Sequence, residues 1–188
     1  MEKIMSRDEA LELLNNHIHN ENLKKHCLAS EAIMRELALR LGEDPELWGT
    51  TALLHDLDFE ETKEDMNRHT LRAAEILEEK GLPPETIQAI KAHNAEILGL
   101  EREKPLEKAL ACSETITGLI VATALVMPDK KLASVKAKSV RKRMKEPAFA
   151  RNVNREIITE CEGLGISLDE FIELSLRAMQ GVAGELGL

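Results

Sequence analysis

Three observations predict an all-α protein. Capping signatures stand directly ahead of stretches with apolar residues at helical spacing, proline and glycine sit where those stretches start and stop, and no alternating β-branched segment competes with them. Ser6-Arg7-Asp8-Glu9 is a capping box, in which hydroxyl and carboxylate satisfy backbone donors at the helix start. Ala10, Leu13 and Leu14 then mark a first helix ending near Asn16. A second runs from about Asn22 to Leu41, apolar at Leu28, Ala32, Leu37 and Leu41, with Gly42 placed to end it. Asp44-Pro45 supplies a capping carboxylate and a pre-set first residue for a third helix, which carries His55-Asp56 at its C-terminal end. Polar Asp58 to Arg68 predicts a loop, and His69 to Lys80 a fourth helix stopped by Gly81. Pro83-Pro84 restarts the pattern, which passes through Ile87, Ile90 and Ala92 to His93-Asn94. Pro105 opens a long apolar helix that ends before Pro128. The segment from Asp129 to Arg155 is more broken, with a short helix around Lys138 to Met144. Helices over Asn154 to Glu162 and Leu168 to about Leu186 follow, the second behind another capping box, Ser167-Leu168-Asp169-Glu170.

A length of 188 residues with 43% hydrophobic content suits one well-cored domain spanning 1–188. The formal charge of −9 argues against a nucleic-acid polymer or an anionic membrane as partner. An aromatic content of 2% with no tyrosine leaves no platform for stacking bases. Residues Met1 to Arg7 lack a signal-peptide core, and no run approaches the roughly 18 apolar residues of a membrane span, so a cytoplasmic protein is expected. Cys27, Cys112 and Cys161 are odd in number and widely spaced, as for reduced structural thiols.

The chemistry centres on Ala52-Leu53-Leu54-His55-Asp56-Leu57-Asp58-Phe59, where an imidazole and a carboxylate interrupt an apolar run. An unpaired ionised aspartate there would cost several kcal/mol, and a divalent cation would compensate it, because neutral imidazole nitrogen and carboxylate oxygen are ordinary ligands. His26 lies in the second helix, His69 opens the fourth, His93 ends the next and Glu114 is inside the long apolar helix. These elements could converge on one ion. The competing readings are a solvated or helix-capping ring for His69 and His93, and an exposed mid-helix carboxylate for Glu114. His17 and His19 are left out of the site, and Asp58, Glu60 and Glu61 read first as a solvated loop.

The order His26, His55-Asp56, His69, His93, then an acid within Ala111-Cys112-Ser113-Glu114-Thr115-Ile116-Thr117-Gly118, resembles the HD-domain metal-dependent phosphohydrolase superfamily over residues of about 20–120. Beyond that core, Leu125-Val126-Met127-Pro128, Lys138-Ser139-Val140 and Phe149 to Arg155 look like a small HDIG-type hydrolase subgroup. The resemblance implies a compact helical bundle with a C-terminal helical extension over about 121–188. It also implies a metal site of His26, His55, Asp56 and Glu114, with His69 and His93 matching members that hold two ions bridged by Asp56. One or two divalent ions are expected, drawn from Fe, Mn, Zn, Ni, Co or Mg. Two positions depart from the pattern: the last acid is Glu114 where the family usually has Asp, and the Ile-Gly after HD is Leu57-Asp58.

Lys130, Lys131, Lys136, Lys138, Arg141, Lys142, Arg143 and Lys145 crowd one stretch, followed by Arg151 and Arg155. They read either as a solvated face or as an anchor for substrate phosphate, with Lys142 and Arg151 nominated for that role. The expected reaction is hydrolysis of a nucleotide or other small phosphate ester by metal-activated water, with Asp58 or Glu61 as proton carrier. The alternatives are a di-iron HD-type oxygenase and a non-catalytic ligand-sensing protein with a structural metal. A homodimer through Phe171, Leu174, Leu176 and Met179 stands beside intramolecular packing of the same residues.

Overall fold

A computed structural model describes residues 5–188, and no strand occurs among them. The reading of Met1 to Ile4 as part of a leaderless N-terminus lies outside these residues. Helix α1 (Arg7–His17) begins at the Ser6 capping box, and α2 (Glu21–Leu41) begins at Asn20, whose side chain accepts from the backbone N–H groups of Asn22 and Leu23. Gly42, with φ of 76°, ends α2 in the left-handed region. Asp44 and Pro45 open α3 (Pro45–Leu53). The predicted polar loop contains a short helix, α4 (Phe59–Thr62). Next come α5 (Leu71–Glu79), α6 (Pro84–His93), α7 (Ala95–Leu98) and α8 (Pro105–Leu125). The C-terminal part holds α9 (Ala137–Met144), α10 (Arg155–Thr159) running into a 3-10 turn at Glu160–Leu164, α11 (Leu168–Gly181) and α12 (Ala183–Leu186). The single terminal helix predicted to about Leu186 is thus interrupted at Val182.

The predicted third helix stops two residues short of the His55-Asp56 pair, for a local reason. A continuing helix would give the Ala52 carbonyl to the Asp56 N–H. Here the His55 ring takes it instead, Nδ1 lying 2.6 Å from Ala52 O. The backbone is released into turns through Asp58, with Phe59 N–H bonded to Asp56 O at 2.9 Å, and Asp56 swings inward. His93 uses the same device at the end of α6, its Nδ1 standing 3.1 Å from Ile90 O.

Helix α2 packs against α3, α8 and α11, and α6 lies on α8, so α2 and α8 form the spine of the core. By length and apolar composition α8 is sufficient to cross a membrane, which corrects the expectation that no stretch comes near one. In the fold, Leu110, Ile116, Leu119 and Ile120 of α8 are buried among the helices around it. Phe171, Leu174, Leu176 and Met179 are likewise buried within the chain's own core, as the intramolecular reading of those residues requires.

A charge network around the buried Glu31 ties the first three helices together. Glu31 is 2% exposed and accepts from Arg7 at 2.7 and 3.0 Å and from Arg35 at 2.9 Å, while Arg35 also reaches Glu46 at 2.6 Å. Gly49 leaves room for that arginine, because a Cβ there would stand 2.7 Å from Arg35 Cγ and Nε. Arg102 ties the Ala92 carbonyl and Glu96 to Glu160, joining the α6–α7 corner to the C-terminal part.

Candidate metal centre

The centre is built around Asp56, whose side chain is 9% exposed. Its Oδ2 lies 3.6 Å from both His26 Nε2 and His55 Nε2, and its Oδ1 lies 3.4 Å from both His69 Nε2 and His93 Nε2. His26 Nε2 and His55 Nε2 are 3.1 Å apart, and Glu114 Oε2 is 3.8 Å from His26 Nε2. The residues predicted to converge from separate helices therefore do converge, Glu114 among them.

Each ring is held by its other nitrogen. His26 Nδ1 faces Thr117 Oγ1 at 2.9 Å, and that hydroxyl donates to the Glu114 carbonyl at 2.6 Å, leaving its lone pair for the imidazole N–H. The Nδ1 atoms of His55 and His93 donate to Ala52 and Ile90 carbonyls, and His69 Nδ1 donates to Asp58 Oδ1 at 2.8 Å. All four Nδ1 atoms are thereby committed as donors. In their neutral form all four rings present an Nε2 lone pair toward the Asp56 carboxylate. Two such lone pairs 3.1 Å apart, beside a buried anion, repel unless a cation or proton lies between them. The donor set therefore fits one or two divalent ions: His26, His55, Glu114 and Asp56 Oδ2 would form one pole and His69, His93 and Asp56 Oδ1 the other, with His55 also within reach of Asp56 and His93. The longer Glu114 side chain still points into the first pole.

The electrostatics follow from this crowding. Burial pushes the His55 imidazole down to about 3, so the ring stays neutral at ordinary pH. Burial also works against the charged form of Asp56, but His55, His69 and His93 outweigh it and hold the carboxyl well below its usual range. Burial raises Glu114, only partly countered by His93 and His26. For His69, burial lowers basicity, yet hydrogen bonds to Asp56 and Asp58 hold it up at about 9.

Asp58 corrects the expectation of a solvated loop residue: at 2% exposure it spends Oδ1 on His69 and Oδ2 on the Ala73 N–H, 2.9 Å away. Ala73 is the third residue of α5, so Asp58 caps that helix from a distance while fixing the His69 ring. Thr70 between them adopts a left-handed φ of 71°, an uncommon conformation for a β-branched residue, and turns His69 inward. Asn94 Nδ2 holds the same turn through the Met66 and His69 carbonyls at 2.9 and 3.2 Å. Asp58, Thr70, Asn94 and Thr117 are the supporting residues that sequence reasoning missed or misassigned. The departure from Ile-Gly at Leu57-Asp58 was the one available signal.

The remaining nominees lie elsewhere. Glu61 is half exposed and pairs with Arg68 and Arg72, each at 3.6 Å. Lys142 is 75% exposed and pairs with Glu146 at 3.8 Å. Neither is joined to the imidazoles by a hydrogen bond or ion pair among the described residues. Arg151 is exposed, next to Asn152, which lines a hollow of about 330 Å³ with His26, Glu114 and Thr115. Arg155, not Arg151, organises that segment: its guanidinium donates to the carbonyls of Arg143, Glu146, Phe149, Ala150 and Val153. A surface hollow of about 590 Å³ between Glu43, Trp48, Pro83 and Glu107 is lined by none of the clustered histidines.

Helices that gather four imidazoles around one buried aspartate, with a further carboxylate on the next long helix, define a cluster of the histidine–aspartate class that could hold metal. The HD domain family model matches residues 23–117, half of the chain, from the start of α2 to the Thr117 that holds His26. The chain belongs to the HD-domain superfamily of metal-dependent phosphohydrolases. Searches of curated proteins and of solved structures found no match.

Proposed function

We propose that this protein hydrolyses a small phosphate ester at a two-ion centre bridged by Asp56. The observation that carries the reading is the division of the Asp56 carboxylate, one oxygen toward His26 and His55 and the other toward His69 and His93. When bound, the ions would supply Lewis acidity toward the phosphoryl oxygens and an activated water nucleophile. The chain's own residues hold the geometry: Thr117 and the Ala52 and Ile90 carbonyls orient three rings, and Asp58 orients the fourth. Burial keeps His55 neutral and therefore available as a ligand.

A purely structural metal is disfavoured by the openness of the first pole. His26 is 26% exposed on its side chain and lines hollows on both sides, whereas a closed structural site leaves no approach for substrate. The test is metal analysis of protein purified without chelator or affinity-column metal, followed by a phosphate-release screen with the ion found. Two ions per chain and release from small esters are expected. Asp56→Ala should lose both ions while the helical circular dichroism persists. Oxygen consumption without phosphate release would replace the hydrolase with the oxygenase reading, and full metal content in Asp56→Ala would overturn the centre itself.

A further inference from the structure

Two hollows meet at His26, and their different linings bear on the kind of ester this centre takes. One, about 330 Å³, lies on the Glu114 side. The other, about 390 Å³, lies between α2, α8 and the α12 turn, and shares His26, Thr117 and Gly118 with the first. Val153 Cγ2 would stand 3.2 Å from a Cβ at Gly118 and lines the first hollow, so the two hollows adjoin at His26 and Thr117. The second hollow falls within the roughly 300–1,000 Å³ of small-molecule pockets. Ala29, Val121, Leu125 and Leu186 form its apolar wall, Asn22 and Thr117 add an amide and a hydroxyl, and His26 supplies its one ring. Its one cation is Lys25, whose ammonium reaches the Gly187 turn and forms no ion pair with a carboxylate among the described residues.

We infer that the cleft beside His26 receives the organic group of the substrate, and that this group is an apolar body ending in an anion, bound by Lys25. The inference rests on the hydrolase reading for the position of the phosphoryl group, next to His26 and Glu114. From there the ester passes beside His26 into the apolar walls, where each buried methylene is worth roughly fourfold in affinity. The distal anion then meets the lysine across the cleft.

The test uses the metal-loaded full chain and two series. Methylphosphonate, benzylphosphonate and 4-carboxybenzylphosphonate are titrated by calorimetry, and methyl, phenyl and 4-carboxyphenyl phosphate are assayed for release. Benzylphosphonate should bind at least tenfold tighter than methylphosphonate, and the carboxylate should add a few-fold more. Val121→Trp should bring the benzyl-to-methyl ratio near one, and Lys25→Gln should remove only the carboxylate increment. Because each ratio is taken on one preparation, a partly unfolded variant does not mimic the result. Equal binding of benzyl and methyl compounds, no binding of either, an unchanged ratio in Val121→Trp, or a nucleoside monophosphate binding tighter than 4-carboxybenzylphosphonate would each overturn the assignment. Cleft-dependent binding without turnover of any ester would remove the hydrolase and leave the cleft standing. Turnover with no preference would do the reverse.

Discussion

Asp58 and His69 form a buried carboxylate–imidazole pair, Oδ1 to Nδ1 at 2.8 Å, and the second Asp58 oxygen closes the start of α5 at Ala73. One carboxylate thus sets both the ring's direction and the helix that follows it. Asp58→Asn keeps the size and one acceptor, but cannot serve His69 and Ala73 together without turning an amide N–H toward a donor. The pole built from His69 and His93 should lose about 10–100-fold in metal affinity, the range for supporting partners of ligating histidines, while the His26–His55 pole keeps its ion. Metal titration read as two affinities checks this.

The pH dependence of the metal-free protein follows from the same pair. His69 is held up at about 9, above its ordinary value near 6.5, so its contribution to stability is fully present below about pH 6.5 and is lost as pH rises through 9. Melting temperature of the metal-free protein should fall between pH 7 and 10, and His69→Gln should flatten that fall. Loading a metal at pH 7.5 should expel the His69 proton. Calorimetry in buffers of different ionisation enthalpy reads that release, and a buffer-independent heat would contradict it.

Gly49→Ala should destabilise the fold by about 1–3 kcal/mol, the range for overpacking a tight interior site. The added methyl meets Arg35 at 2.7 Å and pushes it from the buried Glu31, leaving that carboxylate to Arg7 alone. Urea unfolding measures the loss. Arg35→Ala removes the clash, so the double variant should cost less than the two single losses added together.

Arg155→Lys should loosen residues 143–153. One planar guanidinium satisfies five carbonyls there, and a lysine ammonium has three donors with no fixed fork. Amide exchange in that segment should accelerate by one to two orders of magnitude, following a loss of about 1–3 kcal/mol of local stability. Unchanged exchange there would show that the segment is held by other contacts.

Helix starts were legible because their causes are local: Ser6 with Glu9, Asp44 with Pro45 and Ser167 with Glu170 lie within one turn of what they cap. The metal cluster was legible because His55 and Asp56 interrupt an apolar run, where few residue types sit without a partner, and because the order of His26, His69, His93 and Glu114 around them resembles the HD pattern. Where the reading failed, the cause was distant in sequence. Asp58 looked like a loop residue because its partners, His69 and Ala73, lie 11 and 15 positions away. The early end of α3 depends on a ring taking a carbonyl, which no spacing of apolar residues encodes. Lys142 and Arg151 were nominated by charge alone, and charge does not say that Lys142 turns to Glu146.

The four imidazoles are anchored at Nδ1 by backbone carbonyls, a threonine hydroxyl and Asp58, none of which would belong to an ion. Chelation should therefore remove the guest and leave its cradle standing, with each ring already turned toward the next occupant. Such a centre should accept one metal after another on intact protein, and differences in phosphate release between those preparations would then report on the ions themselves.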